Sequence, residues 1–547
     1  MSKKKSYMLR FLKIVKKKIN RNKFARWEKK RVRPMLSSIF CGLKTHTQEK
    51  KTYPPKIEFY PFPYYHCSRF NRSHMLCVEK IGGTSMSSFA DVIQNIILGK
   101  NQKNSLNNRI FVVSAYNNVT NWLLEHKKTG EPGVYSAFSS HGDYASALDQ
   151  VLAKLLEINK SLSKLKLSAE ADKFITGRIR QTKNYLASLA DVLASGYVNQ
   201  RDVLLAAREI LASIGESHSA YNSADILNNL GIKTELYDLS GFEDAQQLTI
   251  DERIRQAFKS RILSKSLAVV TGYCKGTEGI MREFDRGYSE VTFSKIAVAV
   301  KADEAIIHKE FHLSSADPNL VGTENAIPVG FTNFDVADQI ADVGMEAIHP
   351  KASKPIENAG INLRIKNTFE PEHPGTLITK NYRGPKARVE IITGTDKVTM
   401  IDIHDPSMVG EPGFDLGIMK IFSEFSLSYI LKCTNANSIT LAIWEKHLSA
   451  PFLKALKKPR WKIRIKPAAL VCVIGSNIAI PGVLARAAKA LSDSNINIDG
   501  VSQSINQVNM QFVINRRDYK KAVAAMHKSL CEENNQEVIT SGGHPKR

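Results

Sequence analysis

The chain has 547 residues, of which 43% are hydrophobic and 24% charged, and this is the composition of a globular protein. It is about three to four times as long as a typical domain, so several domains are expected, while a mainly disordered or collagen-like chain is excluded. Seven cysteines are scattered without a CxxC pair, which indicates a reducing compartment such as the cytoplasm. No stretch approaches the roughly 20 uninterrupted apolar residues of a membrane helix.

The formal net charge of +24 is concentrated near the amino terminus. Residues 1–74 carry 21 Lys and Arg against 3 acidic residues, whereas residues 75–547 carry 56 basic and 50 acidic residues. A targeting peptide, a nucleic-acid-binding arm or a membrane-surface helix would each explain such basic runs. We expect instead a solvated, disordered extension, with the folded protein beginning at Met75, and we do not expect a nucleic-acid partner.

From residue 77 onward the sequence alternates between strands and helices. Apolar runs predict strands at residues 77–81, 109–114, 266–272 and 302–308. Apolar residues spaced three and four apart predict helices at residues 144–162 and 169–193. Strands separated by helices indicate a mainly parallel sheet covered on both faces, and this pattern continues to about residue 379.

The last third of the chain contains two similar units. Placing Pro412-Gly413 over Pro481-Gly482 gives a constant offset of 69 residues, which also aligns the apolar strands that follow. Each unit has the order strand, glycine-containing turn, helix, strand, turn and strand. This agreement indicates an internal duplication.

The segment KIGGTS at residues 80–85 closes the first strand and opens a helix that we expect to continue through Ile96. Paired glycines allow the backbone to approach a phosphate, and free N–H groups at a helix start attract an anion. Lys80 would place a cation beside oxygens on which charge builds up during phosphoryl transfer. A tight turn capped by Thr84 would explain the same residues without a ligand. The chain has no GxxxxGK[ST] sequence, which excludes an ordinary P-loop.

Together with later segments, this motif resembles the lysine and double-glycine signature of the aspartate kinases, which belong to the amino-acid kinase family. Ser114-Ala115, Gly215-Glu216 and the VTGY turn at residues 270–273 are similar to further parts of that signature. The two repeated units resemble the family's paired ACT domains, of βαββαβ fold, which bind amino acids. The resemblance extends over residues 77–530. The sequences KIGGTSMS and DRGYSEVTFS resemble most the divergent type associated with ectoine biosynthesis.

The resemblance implies a domain organisation and an activity. The domains would be a basic extension (1–74), a three-layer αβα kinase domain (75–385), two ACT-like α+β domains (386–465 and 466–535) and a tail (536–547). The enzyme would transfer the γ-phosphoryl group of ATP to the side-chain carboxylate of L-aspartate, giving 4-phospho-L-aspartate. Mg²⁺ would be bound largely through the nucleotide phosphates. The product would enter the synthesis of lysine, threonine and methionine, or of ectoine.

The resemblance also implies roles for individual residues. The catalytic residues would be Lys80, Arg286 and Glu290, with Arg286 also clamping the α-carboxylate of aspartate. Aspartate would further contact Thr84, Ser85, Glu216 and Ser289. The nucleotide phosphates would contact Gly82, Gly83, Gly272 and Lys309. An amino-acid effector, lysine or threonine, would bind near Gly413 or Gly482, in a homodimer or larger assembly joined through the ACT-like domains.

Several positions depart from the usual pattern of the family. In the catalytic loop Tyr288 replaces a glycine and Glu290 replaces an aspartate. The family's W-T-D run in the nucleotide pocket corresponds to residues 307–309 (IHK), so Lys309 is either a new phosphate cation or a surface lysine. Ser314, Asn319 and Glu346 stand where the family has a tyrosine, an arginine and a lysine, and the adenine contacts therefore cannot be assigned.

Alternatives from other classes remain open at this point. Another amino-acid kinase, acting on glutamate, acetylglutamate or a nucleotide, would explain the first domain but not the paired repeats. A catalytically silent, amino-acid-sensing subunit would explain the altered catalytic loop but not the retention of Lys80, Glu216 and Arg286. His308, His312 and His349 have no Cys or carboxylate partner at metal-ligand spacing, so we expect no metal held by the protein alone.

Overall fold

The computed structural model describes residues 75–99, 105–127, 129–259, 266–344 and 348–532. The expectations for the basic extension, for Glu346 and for the tail lie outside these residues. Within them, none of the helices combines the length and the apolar character needed to cross a membrane.

The described strands are β1 (Cys77–Ile81), β2 (Arg109–Val113), β3 (Thr234–Tyr237), β4 (Leu267–Thr271), β5 (Glu304–Lys309), β6 (Phe331–Asn333), β7 (Asn362–Asn367), β8 (Thr376–Thr379), β9 (Ile391–His404), β10 (Leu431–Thr434), β11 (Ser438–Trp444), β12 (Lys462–Ile474), β13 (Ile498–Gln503) and β14 (Asn509–Asn515).

The main helices are α1 (Gly83–Ser87), α2 (Val119–Leu123), α3 (Val134–Ser139), α4 (Tyr144–Leu162), α5 (Glu170–Ser195), α6 (Gln200–Asn229), α7 (Ile250–Phe258), α8 (Ile280–Phe284), α9 (Tyr288–Ala299), α10 (Pro318–Val321), α11 (Phe334–Asp342), α12 (Pro350–Asn358), α13 (Phe414–Glu424), α14 (Ala450–Leu456), α15 (Val483–Asp493) and α16 (Tyr519–His527).

The first domain is built on an eight-stranded sheet of order β3-β4-β2-β1-β5-β7-β8-β6. The six strands from β3 to β7 run parallel, whereas β8 and β6 at one edge run antiparallel to them. This confirms the prediction of a mainly parallel sheet. Because β1 pairs with β2 on one side and with β5 on the other, a crevice opens at its carboxyl end, where ligands bind in such sheets.

The helix that follows β1 is shorter than the sequence predicts. It ends at Ser87, a three-residue turn (Phe89–Asp91) follows, and a π-helical segment continues from Val92 to Leu98. Ser88 leaves the helical region, with φ −107° and ψ 51°. The Ser87 hydroxyl donates to the carbonyl of Gly83. Serine side chains compete with helical hydrogen bonds in this way, so the expected continuous helix through Ile96 is wrong.

The sequence patterns do not reveal α6, although it is the longest described helix. Nearly every residue from Leu211 to Leu227 is buried, because the helix packs on β3 and β4 and against α5. A helix that is buried on all sides has no polar face to mark its period.

The ACT-like units form one antiparallel sheet of order β10-β11-β9-β12-β14-β13. The carboxyl half of β9 (398–404) begins the first unit, and the amino half of β12 (462–466) pairs with it as the fourth strand. In turn, the carboxyl half of β12 begins the second unit, and residues 391–395 of β9 complete it. Each unit therefore has the expected βαββαβ fold: the first unit uses the amino half of β12, which follows its own second helix, whereas the second unit is completed by the amino half of β9, which precedes the first unit in the chain.

The second ACT-like unit is fastened to the kinase domain by buried polar contacts. The Ser315 hydroxyl lies 2.8 Å from His527 Nε2, and the Ile392 amide donates to the Ser315 carbonyl at 2.7 Å. Glu390 accepts hydrogen bonds from the Thr332 hydroxyl at 2.8 Å and from the Ser476 amide at 3.0 Å. The segment between β5 and β6 thus joins the crevice to the second unit.

Candidate active site

Lys80 is placed at the carboxyl end of the central strand β1. Its Nζ atom lies 3.5 Å from Oε1 of Glu290, which belongs to the first turn of α9. The other oxygen of Glu290 accepts a hydrogen bond of 2.6 Å from the His349 amide. Burial opposes the ionisation of Glu290, but Lys80, Lys309 and the His349 amide together lower its pKa. The carboxylate is therefore charged at neutral pH and holds Lys80 in place.

A second cation faces the same carboxylate. Lys309, the last residue of β5, places its Nζ atom 4.0 Å from Oε1 of Glu290. The Gly82 amide donates to the His308 carbonyl at 3.2 Å, which brings the end of β5 beside the glycine pair. Two lysines from adjacent strands thus create a positive charge at the mouth of the crevice.

Glycine is required at two positions around this charge because the backbone segments approach each other closely. A Cβ atom on Gly83 would lie 2.7 Å from the Ala115 carbonyl oxygen, whereas one on Gly82 would lie 3.4 Å from that of His308, which is an ordinary contact distance. A Cβ atom on Gly272 would lie 2.7 Å from the Val113 carbonyl oxygen and 2.8 Å from Cβ of Ser289. This packing brings the first amides of α1, which have no acceptor within the helix, to the crevice.

The two polar residues after the glycines have different environments. Thr84 is exposed, whereas Ser85 is completely buried. The Ser85 amide donates to Glu310 at 3.2 Å, and its hydroxyl lies 2.9 Å from the Thr368 hydroxyl. Ser85 therefore fastens α1 to the residues that follow β5 and β7. No sequence signal marked Glu310 or Thr368 for this role.

Glu216 lies in the middle of α6 with only 2% of its surface exposed. Burial raises its pKa to about 7, although the Tyr288 hydroxyl, the Ala115 amide and Lys80 favour the charged form. Among the described residues, no group makes a hydrogen bond to its Oε2 atom. A buried carboxylate with one free oxygen is suited to bind a substrate ammonium group.

Ser289 connects Glu216 with the second strand. A Cβ atom on Gly272 would contact both Ser289 and the Glu216 side chain, so these residues surround the same turn. The Ser289 hydroxyl accepts a hydrogen bond of 3.4 Å from Ser114, which follows β2. The carboxyl ends of β1, β2, β4 and β5 are therefore joined by polar side chains.

Arg286 is held by the segment that follows β2. It donates to Asn121 Oδ1 at 3.0 Å, to the Glu125 carbonyl and, at 3.3 Å, to the Glu125 carboxylate. Glu125 is itself bound by Arg208 through two hydrogen bonds of 2.7 Å. The Arg286 Nε atom is buried and, within the described structure, has no acceptor. Asn121, Glu125 and Arg208 were not identified from the sequence.

The structure thus places most of the predicted residues around one crevice: Lys80, Gly82, Gly83, Thr84, Glu216, Gly272, Arg286, Ser289, Glu290 and Lys309. Gly413 and Gly482 lie in the ACT-like units, at the starts of α13 and α15, with φ values of +80° and +93°. The described residues contain no group of three or more His, Cys, Asp or Glu side chains that could hold a metal ion.

Comparisons with known proteins agree with this architecture. Residues 75–367 match the amino acid kinase family, and residues 471–530 match the ACT domain family. "Aspartate kinase Ask_Ect" of Stutzerimonas stutzeri (strain A1501) is 46% identical over 476 residues, which cover 85% of this chain and 100% of that protein. "Aspartokinase 1, chloroplastic" of Arabidopsis thaliana is 28% identical, over 83% of this chain and 80% of its own.

Solved structures share the fold at lower sequence identity. The aspartate kinase of Clostridium acetobutylicum has a TM-score of 0.63 and 22% identity, and the match covers 83% of this chain and 100% of that one. Aspartokinase III of E. coli, solved with aspartate and ADP, has a TM-score of 0.63 and 19% identity, over 83% and 99% of the two chains. The chain therefore belongs to the amino acid kinase family, and within that family it is one of the aspartate kinases.

Proposed function

We propose that this protein transfers the γ-phosphoryl group of ATP to the side-chain carboxylate of L-aspartate, giving 4-phospho-L-aspartate. The observation that carries this proposal is the pairing of Lys80 and Lys309 around Glu290 at the end of β1, a short way from the buried and half-free carboxylate of Glu216. The lysine pair suits the binding of phosphates, and the Glu216 carboxylate suits the binding of an amino acid. The product would feed either the lysine, threonine and methionine pathway or ectoine synthesis.

The nucleotide side of the crevice fits a polyphosphate. Lys80 and Lys309 supply charge, Gly82, Gly83 and Gly272 allow close approach of the backbone, and the Gly83 and Thr84 amides at the start of α1 would supply hydrogen-bond donors. ATP would supply the phosphoryl group, and Mg²⁺ would neutralise part of its charge while bound mainly to phosphate oxygens. Lys80, oriented by Glu290, would stabilise the charge that develops on the transferring oxygens.

The acceptor side fits L-aspartate. The free oxygen of Glu216 would bind the α-ammonium group, and Arg286 would bind the α-carboxylate, with Ser289 and Thr84 completing the site. Ser85 would act indirectly, since its side chain is engaged by Glu310 and Thr368. The side-chain carboxylate of aspartate is ionised at neutral pH and needs no general base. Catalysis would therefore come from positioning and charge stabilisation.

We further propose the domain limits 75–385, 386–465 and 466–535, between the extension (1–74) and the tail (536–547). The second limit falls inside β12, where the strand passes from one unit to the other. The ACT-like units would join two chains into a homodimer or larger assembly and bind lysine or threonine near Gly413 or Gly482. A cytoplasmic location would suit the buried cysteines Cys274, Cys472 and Cys531, which form no disulfide.

A single assay tests the activity. ADP release would be measured with L-aspartate, with L-glutamate and without an amino acid, and the acyl phosphate would be trapped with hydroxylamine. We expect release only with aspartate, together with an aspartyl hydroxamate. Release with glutamate alone would identify another amino-acid kinase, and no release with either would identify a silent sensing subunit.

A further inference from the structure

Two arginines share one carboxylate beside the proposed binding site for the substrate α-carboxylate. Glu125 follows α2 and accepts two hydrogen bonds of 2.7 Å from Arg208, one on each oxygen. The contact of its Oε1 atom with Arg286 Nη2 is longer, at 3.3 Å. The hydrogen bonds from Arg208 are also the main reason why the pKa of Glu125 lies below its ordinary value. The carboxylate is therefore engaged mostly by Arg208, and the charge of Arg286 is compensated only in part.

The position of Arg286 depends mainly on groups other than this carboxylate. Its Nη1 atom donates to Asn121 Oδ1 at 3.0 Å, and its Nη2 atom donates to the main-chain carbonyl of Glu125. Its Nε atom is buried and has no acceptor among the described residues. A guanidinium group has five N–H donors, so Arg286 is held in place while donors remain for a further acceptor.

Arg208 is itself fixed in the orientation that engages Glu125. Its guanidinium group lies over the Tyr135 ring, 5.0 Å from the ring centroid, where cation and ring attract each other. The backbone of Glu125 forms an antiparallel bridge with Pro132, which holds the same segment from another side. Only 18% of the Arg208 side chain and 29% of the Glu125 side chain are exposed, so water screens this pair less than it screens a surface ion pair.

We propose that Arg208 is a positioning residue for the amino-acid substrate, because it keeps the Glu125 carboxylate away from Arg286 and so leaves the Arg286 charge for the α-carboxylate of the substrate. The inference rests on the proposed function, in which Arg286 binds that carboxylate of L-aspartate. Without Arg208, both oxygens of Glu125 would be free to accept from the Nε and Nη2 donors of Arg286. Such a two-point pair would occupy the donors that the substrate needs.

The test compares Arg208→Gln with the double variant Arg208→Gln/Glu125→Gln. We expect Arg208→Gln to raise KM for L-aspartate by about 10-fold, with kcat and KM for ATP changed by less than about 3-fold, because the loss concerns substrate binding alone. The double variant should return KM for aspartate to within about 3-fold of the wild-type value, since the competing charge is gone. A role of Arg208 in stability alone would not be reversed by the second substitution.

Arg178→Gln is the matched control. Arg178 lies on α5, donates to Asp238 at 2.9 Å and lies over the Phe242 ring, 4.2 Å from the ring centroid, so its surroundings resemble those of Arg208. Asp238 follows β3, which is the edge strand of the sheet. This variant should lower thermal stability without changing KM for aspartate.

Calorimetric titration with L-aspartate separates this inference from the proposed function. Turnover of aspartate with an unchanged KM in Arg208→Gln, or with a KM that stays raised in the double variant, would overturn the inference alone. Aspartate binding that weakens in Arg208→Gln and recovers in the double variant, in a protein without turnover, would support the inference and overturn the proposed activity. If the wild type neither binds nor turns over aspartate, both are overturned.

Should Arg208→Gln fail to fold, Arg208→Lys takes its place. Lysine keeps the charge but not the two-point contact with Glu125, so KM for aspartate should rise by a smaller factor. Adding Glu125→Gln should again reverse that rise. An unchanged KM in a folded Arg208→Lys variant would overturn the inference.

Discussion

Lys80 has almost no exposure to solvent, so its interaction with Glu290 is not screened as a surface ion pair would be. Only 11% of the Lys80 side chain and 12% of the Glu290 side chain are exposed. The carboxylate orients the ammonium group but cannot neutralise a triply charged phosphate chain. Lys309 adds a second cation on the neighbouring strand, with 24% of its side chain exposed.

Replacement of Lys80 by alanine should lower kcat by at least about 100-fold while the protein remains folded, because its charge acts mainly in the transition state. Lys309→Ala is the matched control, since it removes the more distant and more exposed cation facing Glu290. We expect it to raise KM for ATP more than it lowers kcat. Steady-state ADP release and circular dichroism of both variants provide the measurement. A folded Lys80→Ala variant with near-normal turnover would exclude Lys80 from the mechanism.

The sequence revealed the site residues that belong to a contiguous motif and missed those that act through tertiary contacts. Lys80, Gly82 and Gly83 stand out because strand, glycine pair and helix follow one another directly. Glu310, by contrast, lies in an irregular segment, and its bond to the Ser85 amide depends on how β5 ends beside α1. No spacing in the sequence encodes such a contact, which arises only once the parallel strands are in register.

The same distinction holds for the helices and strands. The helix at 144–162 was predicted with its observed bounds because one face is apolar and the other polar. In α6, which carries both Arg208 and Glu216, the residues from 211 to 227 are buried on nearly all sides, so the helix lacks this contrast between an apolar and a polar face. The duplication correctly predicted two βαββ units, but the completion of the second unit by residues 391–395 of β9 required the pairing of β9 with β12 to be known.

The starts of α13 and α15 are related by the duplication but differ in charge. Gly413 and Gly482 both adopt positive φ, so alanine at either position costs roughly 1–2 kcal/mol of backbone strain. The first turn of α13 contains Asp415, whereas that of α15 contains no acidic residue. A carboxylate ligand is therefore better accommodated at α15.

We accordingly expect Gly482→Ala to weaken binding of an inhibitory amino acid more than Gly413→Ala does. Titration calorimetry with lysine and with threonine, beside inhibition assays, would measure this difference. A stronger effect of Gly413→Ala would place the effector on the first unit. Binding of neither amino acid, in a protein that still forms dimers, would leave the repeats with a structural role only.

For the molecule as a whole, the excess of basic residues ends where the described residues begin. The described fold begins at Met75, and β1, which starts two residues later, is completed on both sides by strands of the same domain. A protein of residues 75–547 should therefore keep kcat and both KM values within about 2-fold, since every residue of the described site lies within it. It should also lose retention on heparin, because its formal net charge falls to +6. Misfolding or loss of most activity would show that the extension is part of the enzyme.

The junction between the kinase domain and the second ACT-like unit contains a chain of buried hydrogen bonds, from which we expect the two to unfold together. His527 is completely buried and bonds Ser315 on one side and Glu532, at 2.8 Å, on the other. The Ser315 hydroxyl also accepts the Ile327 amide at 3.0 Å. Ser315→Ala would therefore leave the buried Nε2 atom of His527 and the partly buried Ile327 amide without this partner.

Each such group costs about 1–3 kcal/mol, so Ser315→Ala should lower the free energy of unfolding by at least that amount. Ser492→Ala, on an exposed position of α15, is the control and should change it by less than about 0.5 kcal/mol. Urea unfolding followed by circular dichroism measures both variants. We expect one transition in the wild type and two in Ser315→Ala, because the second ACT-like unit then separates before the kinase sheet melts. Equal stability of the two variants would mean that the apolar contacts around Ala316 hold the junction without the buried hydrogen bonds.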